Sequence, residues 1–407
     1  MINYSAFDYL CINVANAKGM DKELFETRIQ WVKDNFHRLE EVDISEIDEP
    51  IPYVKALLSL RNACKTGKSN AIVHLDSVCS GIQIMSALGG CMSGAIHTGL
   101  IDSGTRPDLY TFVQTTMNQE LIGSGIVVDV SRADIKSAVM KSGYGSTKVP
   151  RDLFEPMGVL TEFYTAFRKV APVAVAIQDA LLTTWNPEAT HHEWVLPDGF
   201  HVKAPVTIDV EKRIEIDELN HTTISVQYTD IGTKENGRSN VANAIHSVDA
   251  LVLRNMLRRC SYDPVVVRTA YQLIHAQLEA PRAPVTDCDV GYYVELFTKN
   301  QWVDPVILPY IDEDNVTAIP EWILKKLLRL TSLMLEHEPF ELVTVHDSFG
   351  AHVTNLNRVR FWYKEILAEL NESEILTSIW NQLGKIGTFK KKANIADLIR
   401  GGNYALS

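Results

Sequence analysis

Two aspartates stand where apolar strand patterns end. Ala71-Ile-Val-His-Leu-Asp76 reads as a short buried strand closed by a carboxylate. Glu341-Leu-Val-Thr-Val-His-Asp-Ser-Phe-Gly-Ala-His-Val353 reads as two apolar strands bracketing His346-Asp347-Ser348, with the histidine buried. A carboxylate is costly to bury unless it is paired or meets a cation. Two of them on adjacent strands can hold a pair of Mg²⁺ ions about 3.5–4 Å apart, which stabilise the attacking and leaving oxygens of an in-line phosphoryl displacement. The plainer alternatives are an Asp76 that caps the next helix and an Asp-Ser turn in a hairpin.

Between the aspartates lies Ser131-Arg-Ala-Asp-Ile-Lys-Ser-Ala-Val-Met-Lys-Ser-Gly-Tyr-Gly-Ser146. Arg132 and Lys136 are four apart and share a helix face. Tyr144 follows, flanked by Gly143 and Gly145. Two cations on one face and a glycine-flanked ring suit a phosphorylated, ring-bearing ligand: the cations meet phosphates, the ring meets sugar and base, and the glycines let backbone come close. The same spacing also suits a basic amphipathic helix ended by a glycine C-cap.

These residues need a scaffold, and the totals bound it. A chain of 407 residues with 46% hydrophobic content can build a large core, as about two or three domains. There is no apolar run long enough to span a membrane and no basic leader, so the expected location is cytoplasmic, without membrane contact. The six cysteines form no CxxC pair, which favours free thiols. The net charge of −12 excludes general coating of nucleic acid, but charge is unevenly spread. Residues 131–151 carry five basic side chains and one acidic, whereas 39–49 carry six acidic and none basic.

The patterning is helix-rich. Helices are expected over 21–41, 53–64, 84–88, 108–121, 151–170, 173–185, 240–259, 264–279, 290–300, 321–336, 356–370 and 373–383. Pro50 and Pro52 suggest a linker, and 123–130 a turn and short strand. Residues 202–228 are strand-rich, with Asn220-His221 at a hairpin tip. His191-His192 is a poor metal pair, because adjacent side chains diverge. Asp249, on the buried side by periodicity, either bonds within the core or faces the site.

Taken together, the motifs resemble those of the bacteriophage-type single-subunit RNA polymerases. Asp76-Ser-Val-Cys-Ser-Gly-Ile-Gln83 resembles motif A, Arg132…Lys136…Tyr144-Gly145-Ser146 motif B, and His346-Asp347-Ser348-Phe349-Gly350 motif C, in the family's order. Weaker echoes are Asn16-Ala-Lys-Gly19, Asp21-Lys22, Pro197-Asp-Gly-Phe200 and His246-Ser-Val-Asp249. The related DNA polymerases carry His-Asp-Glu in motif C; Ser348 and the Cys79–Gln83 run favour RNA synthesis.

The resemblance implies an α+β, helix-rich fold: right-hand palm and fingers with a small antiparallel palm sheet. Residues 1–100 would form palm, 101–240 fingers, and 241–407 the rest of the palm, with an insertion within 262–320. Asp76 and Asp347, with the carbonyl of Ser77, would hold two Mg²⁺ ions. Arg132 and Lys136 would bind the ribonucleoside triphosphate, Tyr144 would discriminate ribose from deoxyribose, Gly145 would approach the template, and His346 would support the primer end. Residues 202–228 would occupy the place of a promoter-reading loop. The implied partners are template DNA and nascent RNA. Ser77 stands where the family usually has Gly, Ile84 where it has His, and a further family His aligns near Val252. The thumb, the N-terminal domain and one palm segment find no counterpart, which implies a catalytic subunit working with a second chain, contacted through 39–49 and the N-terminus. The alternatives are a related DNA polymerase and a catalytically silent nucleic-acid-binding scaffold subunit.

Overall fold

The computed structural model describes residues 1–280 and 290–407. Pro281, Pro284 and Cys288, and with them part of the expected insertion, lie outside the described residues. Helices dominate, and the described strands form three small antiparallel sheets. The strands are β1 (Ile72–Asp76), β2 (His191–Val195), β3 (His201–Pro205), β4 (Thr207–Ile216), β5 (Thr222–Ile231), β6 (Val343–Val345) and β7 (Ser348–His352).

The central sheet has the order β1-β7-β6. Its register places Asp76 opposite Ser348 and Val345 opposite Ser348 on the other side. β7 therefore joins the two carboxylate-bearing segments although they are far apart in sequence. β1 is half-buried rather than buried: Val73 and Leu75 point into the core, while Ile72, His74 and Asp76 are exposed. The alternation of period two shows why. One sheet face rests on the helix Leu356–Glu372 and on Phe349 and Tyr363; the other is left open to a ligand. Gly350 is required opposite His74, because an added Cβ would come within 2.5 Å of the imidazole.

Several expected elements shift for local reasons. Pro50 does not end a linker; it opens the helix Pro50–Thr66 as a first-turn residue, where its missing N–H is no loss. The expected helix over 21–41 is Phe25–Asp34 followed by a 3₁₀ segment, Phe36–Glu41. The helix expected over 151–170 is broken between Lys148–Phe154 and Leu160–Val170, with Gly158 at φ +71° in the gap. Residues 124–130 form no strand. Asp198, in the Pro-Asp-Gly turn, is a structural anion: it is buried and ion-paired to Arg254 at 2.5 Å and to Arg258 at 3.0 Å, pinning that turn to the helix Ser239–Cys260.

The C-terminal segment folds back along the sheet. Ser407 N–H donates to Asp76 O at 3.0 Å, and the Gln83 amide donates to Ala405 O at 3.0 Å. Lys364, one turn beyond Arg360, donates to Arg400 O at 2.9 Å and Gly402 O at 2.6 Å. Burial, reinforced by the nearby Arg360 guanidinium, pushes the Lys364 ammonium down to about 7 from 10.5. Below pH 7 both states are charged and folding bears the full burial cost. Between about 7 and 10.5 the unfolded chain holds a proton that the folded chain lacks, so stability rises with pH. Denaturant titrations at several pH values should show wild type gaining on Lys364→Met across that window, with no relative gain below it.

Candidate active site

The helix Arg132–Gly143 is built from its ends. The Ser131 hydroxyl caps it, accepting from Asp134 N–H at 3.1 Å. At the other end Gly145 N–H donates to Ser142 O at 2.9 Å and Ser146 N–H to Lys141 O at 3.0 Å, the paired bonds of a Schellman turn. That turn needs a left-handed residue, and Gly145 supplies it at φ +81°. Gly145 is buried against Val241, and its carbonyl accepts from Arg238 Nε at 2.9 Å. It shapes the end of the helix and does not line the cleft.

That cleft, of about 330 Å³, is lined by Asp76, Ser77, Lys136, Tyr144, His346 and Asp347 among others. Six of the eight residues singled out in the sequence thus meet. Arg132 stays at the rim. Its Nε and one terminal nitrogen contact Asp108 Oδ2, at 2.8 and 2.5 Å, and its guanidinium lies 5.7 Å from the ring centre of Tyr110, which lines the cleft. Its remaining terminal nitrogen faces no partner among the described residues.

Asp347 sits in the two-residue turn between β6 and β7. It is locked to Ser77 twice: Ser77 N–H donates to its carbonyl at 3.1 Å and the Ser77 hydroxyl to its carboxylate at 2.5 Å. The serine that departs from the family pattern therefore adds a hydrogen bond. His346 is exposed rather than buried, at φ +55°. The first position of such a tight turn calls for a positive φ, which histidine tolerates better than most residues.

Neither Asp76 nor Asp347 is ion-paired to any cation among the described residues. Asp249 adds a third carboxylate. Burial and the charge of Asp347 push it up to about 6, and it accepts from the Ser80 hydroxyl at 3.4 Å. Carboxylate oxygens and a backbone carbonyl, gathered without a countercharge, are the hard donor set that Mg²⁺ takes.

Tyr144 is gripped on two sides. Its ring lies 4.3 Å from that of His246, and an added Cβ at Gly81 would meet its ring and hydroxyl at 3.0 Å. Burial pushes its phenol up to about 12, so it is protonated and able to donate at neutral pH. Val252, where the resemblance places a further histidine, is buried in the core; the histidine that reaches Tyr144 is His246. Sequence reasoning missed Tyr110, Ser80 and Tyr363. No local pattern marks them, since each acts through a segment distant in the chain. The histidine pair at 191–192 shows no metal geometry: His192 is buried and its Nε2 accepts from Asn186 N–H.

Residues 1–154 match the family model of DNA-dependent RNA polymerase. The chain is 25% identical over 319 residues to the DNA-directed RNA polymerase of Pseudomonas phage phiKMV, covering 65% of this chain and 39% of that protein. It is 30% identical over 156 residues to a probable DNA-directed RNA polymerase of Neurospora crassa, covering 34% of this chain and 17% of the relative. It is 27% identical over 165 residues to the mitochondrial DNA-directed RNA polymerase of Schizosaccharomyces pombe, covering 35% and 14%. The matched region spans well under half the length of each relative. By that family match and these relatives, the chain is a member of the phage-type single-subunit DNA-dependent RNA polymerase family.

Proposed function

We propose that this chain carries the catalytic centre of a DNA-directed RNA polymerase, transferring nucleotidyl groups from ribonucleoside triphosphates under the direction of a DNA template. The observation that carries the reading is the meeting of unpaired Asp76 and Asp347 with Lys136 and Tyr144 around one cleft. Asp76, Asp347 and the Ser77 carbonyl would hold two Mg²⁺ ions, which supply charge stabilisation at the attacking and leaving oxygens. Lys136 and the open edge of Arg132 hold the triphosphate and, after transfer, the departing pyrophosphate. Tyr144, fixed by Ser80 and His246, presents a hydroxyl to the sugar. His346 supports the primer end.

The test is extension of an RNA primer annealed to DNA, with and without Mg²⁺, first with ribonucleotides and then with deoxynucleotides. Ribonucleotide-selective, Mg²⁺-dependent extension is expected. Preference for deoxynucleotides would make the chain a DNA polymerase, and inertness of its native complex would make it a scaffold. Tyr144→Phe is expected to relax rejection of deoxynucleotides by about ten- to a hundredfold, the worth of one buried hydrogen bond to a hydroxyl. Unchanged discrimination in competition assays would remove that role from Tyr144.

The reading includes a second polymerase chain. Its support is the exposed apolar stripe of Ile51, Val54 and Leu58 on the helix Pro50–Thr66, facing Ile44 within the acidic 39–49 stretch. Robust promoter-specific transcription by the purified single chain would contradict that part.

A further inference from the structure

The ribbon formed by β4 and β5 has two unlike faces. Its register pairs Ile208 with Asp230, Val210 with Tyr228, Lys212 with Val226 and Ile214 with Ile224. Directly paired residues share a face, so Ile208, Val210, Ile214, Ile224, Val226 and Tyr228 form one apolar surface. The alternate pairs, such as Asp209 with Thr229, Glu211 with Gln227 and Glu215 with Thr223, form a polar one. The apolar face lies open: Ile214, Ile224, Val226 and Tyr228 are 40%, 43%, 38% and 45% exposed. Each strand has its only extensive packing, among the described residues, against the other.

Ten-residue strands make an arm about 33 Å long, and a lone hairpin of this kind is marginal in water without cover. Its root, however, is firmly built. Val206 is buried, Gly232 N–H donates to Val206 O at 3.0 Å, and Trp185 Nε1 donates to Lys234 O at 2.9 Å. At Gly237 an added Cβ would come within 2.3 Å of the Trp185 ring. A fixed root below a bare apolar face is what an interaction arm requires, since contiguous exposed apolar surface marks a binding site.

The charge of the arm selects its occupant. Asp209, Glu211, Glu215, Asp217, Glu218 and Asp230 stand against Lys212 and Arg213. Duplex DNA is bound by neutralising phosphates with Lys and Arg, and this arm would repel them. A second copy would set one acidic rim against its own image, on a chain already at −12. We infer that the apolar face of the β4–β5 ribbon docks a partner protein that presents an apolar ridge flanked by lysines and arginines, in place of the DNA-reading role its position implies. This goes beyond the catalytic reading and does not rest on it.

The test uses the purified full chain and a defined probe: an amphipathic helical peptide with a leucine stripe flanked by lysines. Binding is followed by fluorescence anisotropy and by hydrogen exchange over 207–231. A matched peptide flanked by glutamates, and a duplex DNA, serve as the other arms. The lysine peptide should bind at least tenfold tighter than the glutamate peptide and protect the ribbon. Ile224→Asp/Tyr228→Asp should weaken it at least tenfold, Val226→Lys should also weaken it, and Ser225→Ala on the opposite face should leave it unchanged. All these positions are exposed, and circular dichroism checks the fold. Equal binding of the two peptides, indifference to the apolar-face substitutions, protection of the ribbon by DNA, or a dimer in sedimentation that these substitutions dissolve would each overturn the inference.

Discussion

Asp347→Ala should lower Mg²⁺-dependent primer extension by about a thousandfold or more while leaving the fold intact, since charge stabilisation by held metal ions carries most of such a barrier. The fold should survive because the sheet is tied at this turn through backbone: Ser77 N–H donates to the Asp347 carbonyl, which alanine keeps. The Ser77 hydroxyl loses its acceptor, costing about 1 kcal/mol. Removing one carboxylate beside Asp249 relieves repulsion, because Asp347 is one of the groups holding Asp249 up near 6. The net change in stability should therefore stay within about 1 kcal/mol in denaturant titration. Asp76→Ala should act alike. RNA synthesis surviving either change, in the chain's native complex, would remove the two-carboxylate site from the proposal.

The carboxylate pair was legible because a strand's apolar run stops at a definite residue, and Asp76 and Asp347 each stand at such a stop. The helix at 132–143 was legible because four-residue spacing and a following Gly are local. Orientation was harder. An apolar run does not say which of its alternate residues face solvent, so Asp76 and His346 were both expected to be more buried than they are. Gly145 had two readings, and the Schellman bonds select the C-cap. Asp249 was recognised as a fork: it bonds to Ser80, 169 positions away, on the side of the site. Tyr363, whose hydroxyl donates to Gln83 at 2.8 Å, and Tyr110 are placed by packing between segments, which no window of sequence contains. The ribbon was foreseen as strands with a tip at Asn220-His221, and that tip is where the left-handed residues fall. Its two faces follow from the register, and the register from the turn.

Arg360→Met should cost about 3–5 kcal/mol, a large part of a typical folding stability of about 5–15 kcal/mol. Arg360 is 2% exposed, and no carboxylate bridges to it among the described residues. Its cation is met by Ile2 O at 3.0 Å, the Tyr9 hydroxyl at 3.0 Å, Asn403 O at 2.9 Å and Asn403 Oδ1 at 2.5 Å. The rings of Tyr4 and Phe25 lie 5.1 and 4.9 Å from the guanidinium carbon. Methionine fills much of the volume but leaves four buried acceptors without this donor. Lysine keeps the charge yet cannot fan its donors to both sides, so Arg360→Lys should recover little. The loss should reach the site. Asn403 leads directly into Tyr404–Ser407, where Ser407 N–H holds the Asp76 carbonyl and Tyr404 stacks 5.1 Å from Phe25. With Arg360 gone, residues 403–407 should open before the core does, and Asp76 should lose its fixed position. Hydrogen exchange over 403–407 should rise, and primer extension should fail at temperatures where circular dichroism still reports a folded chain. Activity and global unfolding lost together at one temperature would show instead that the guanidinium stabilises the whole molecule without separately aligning Asp76.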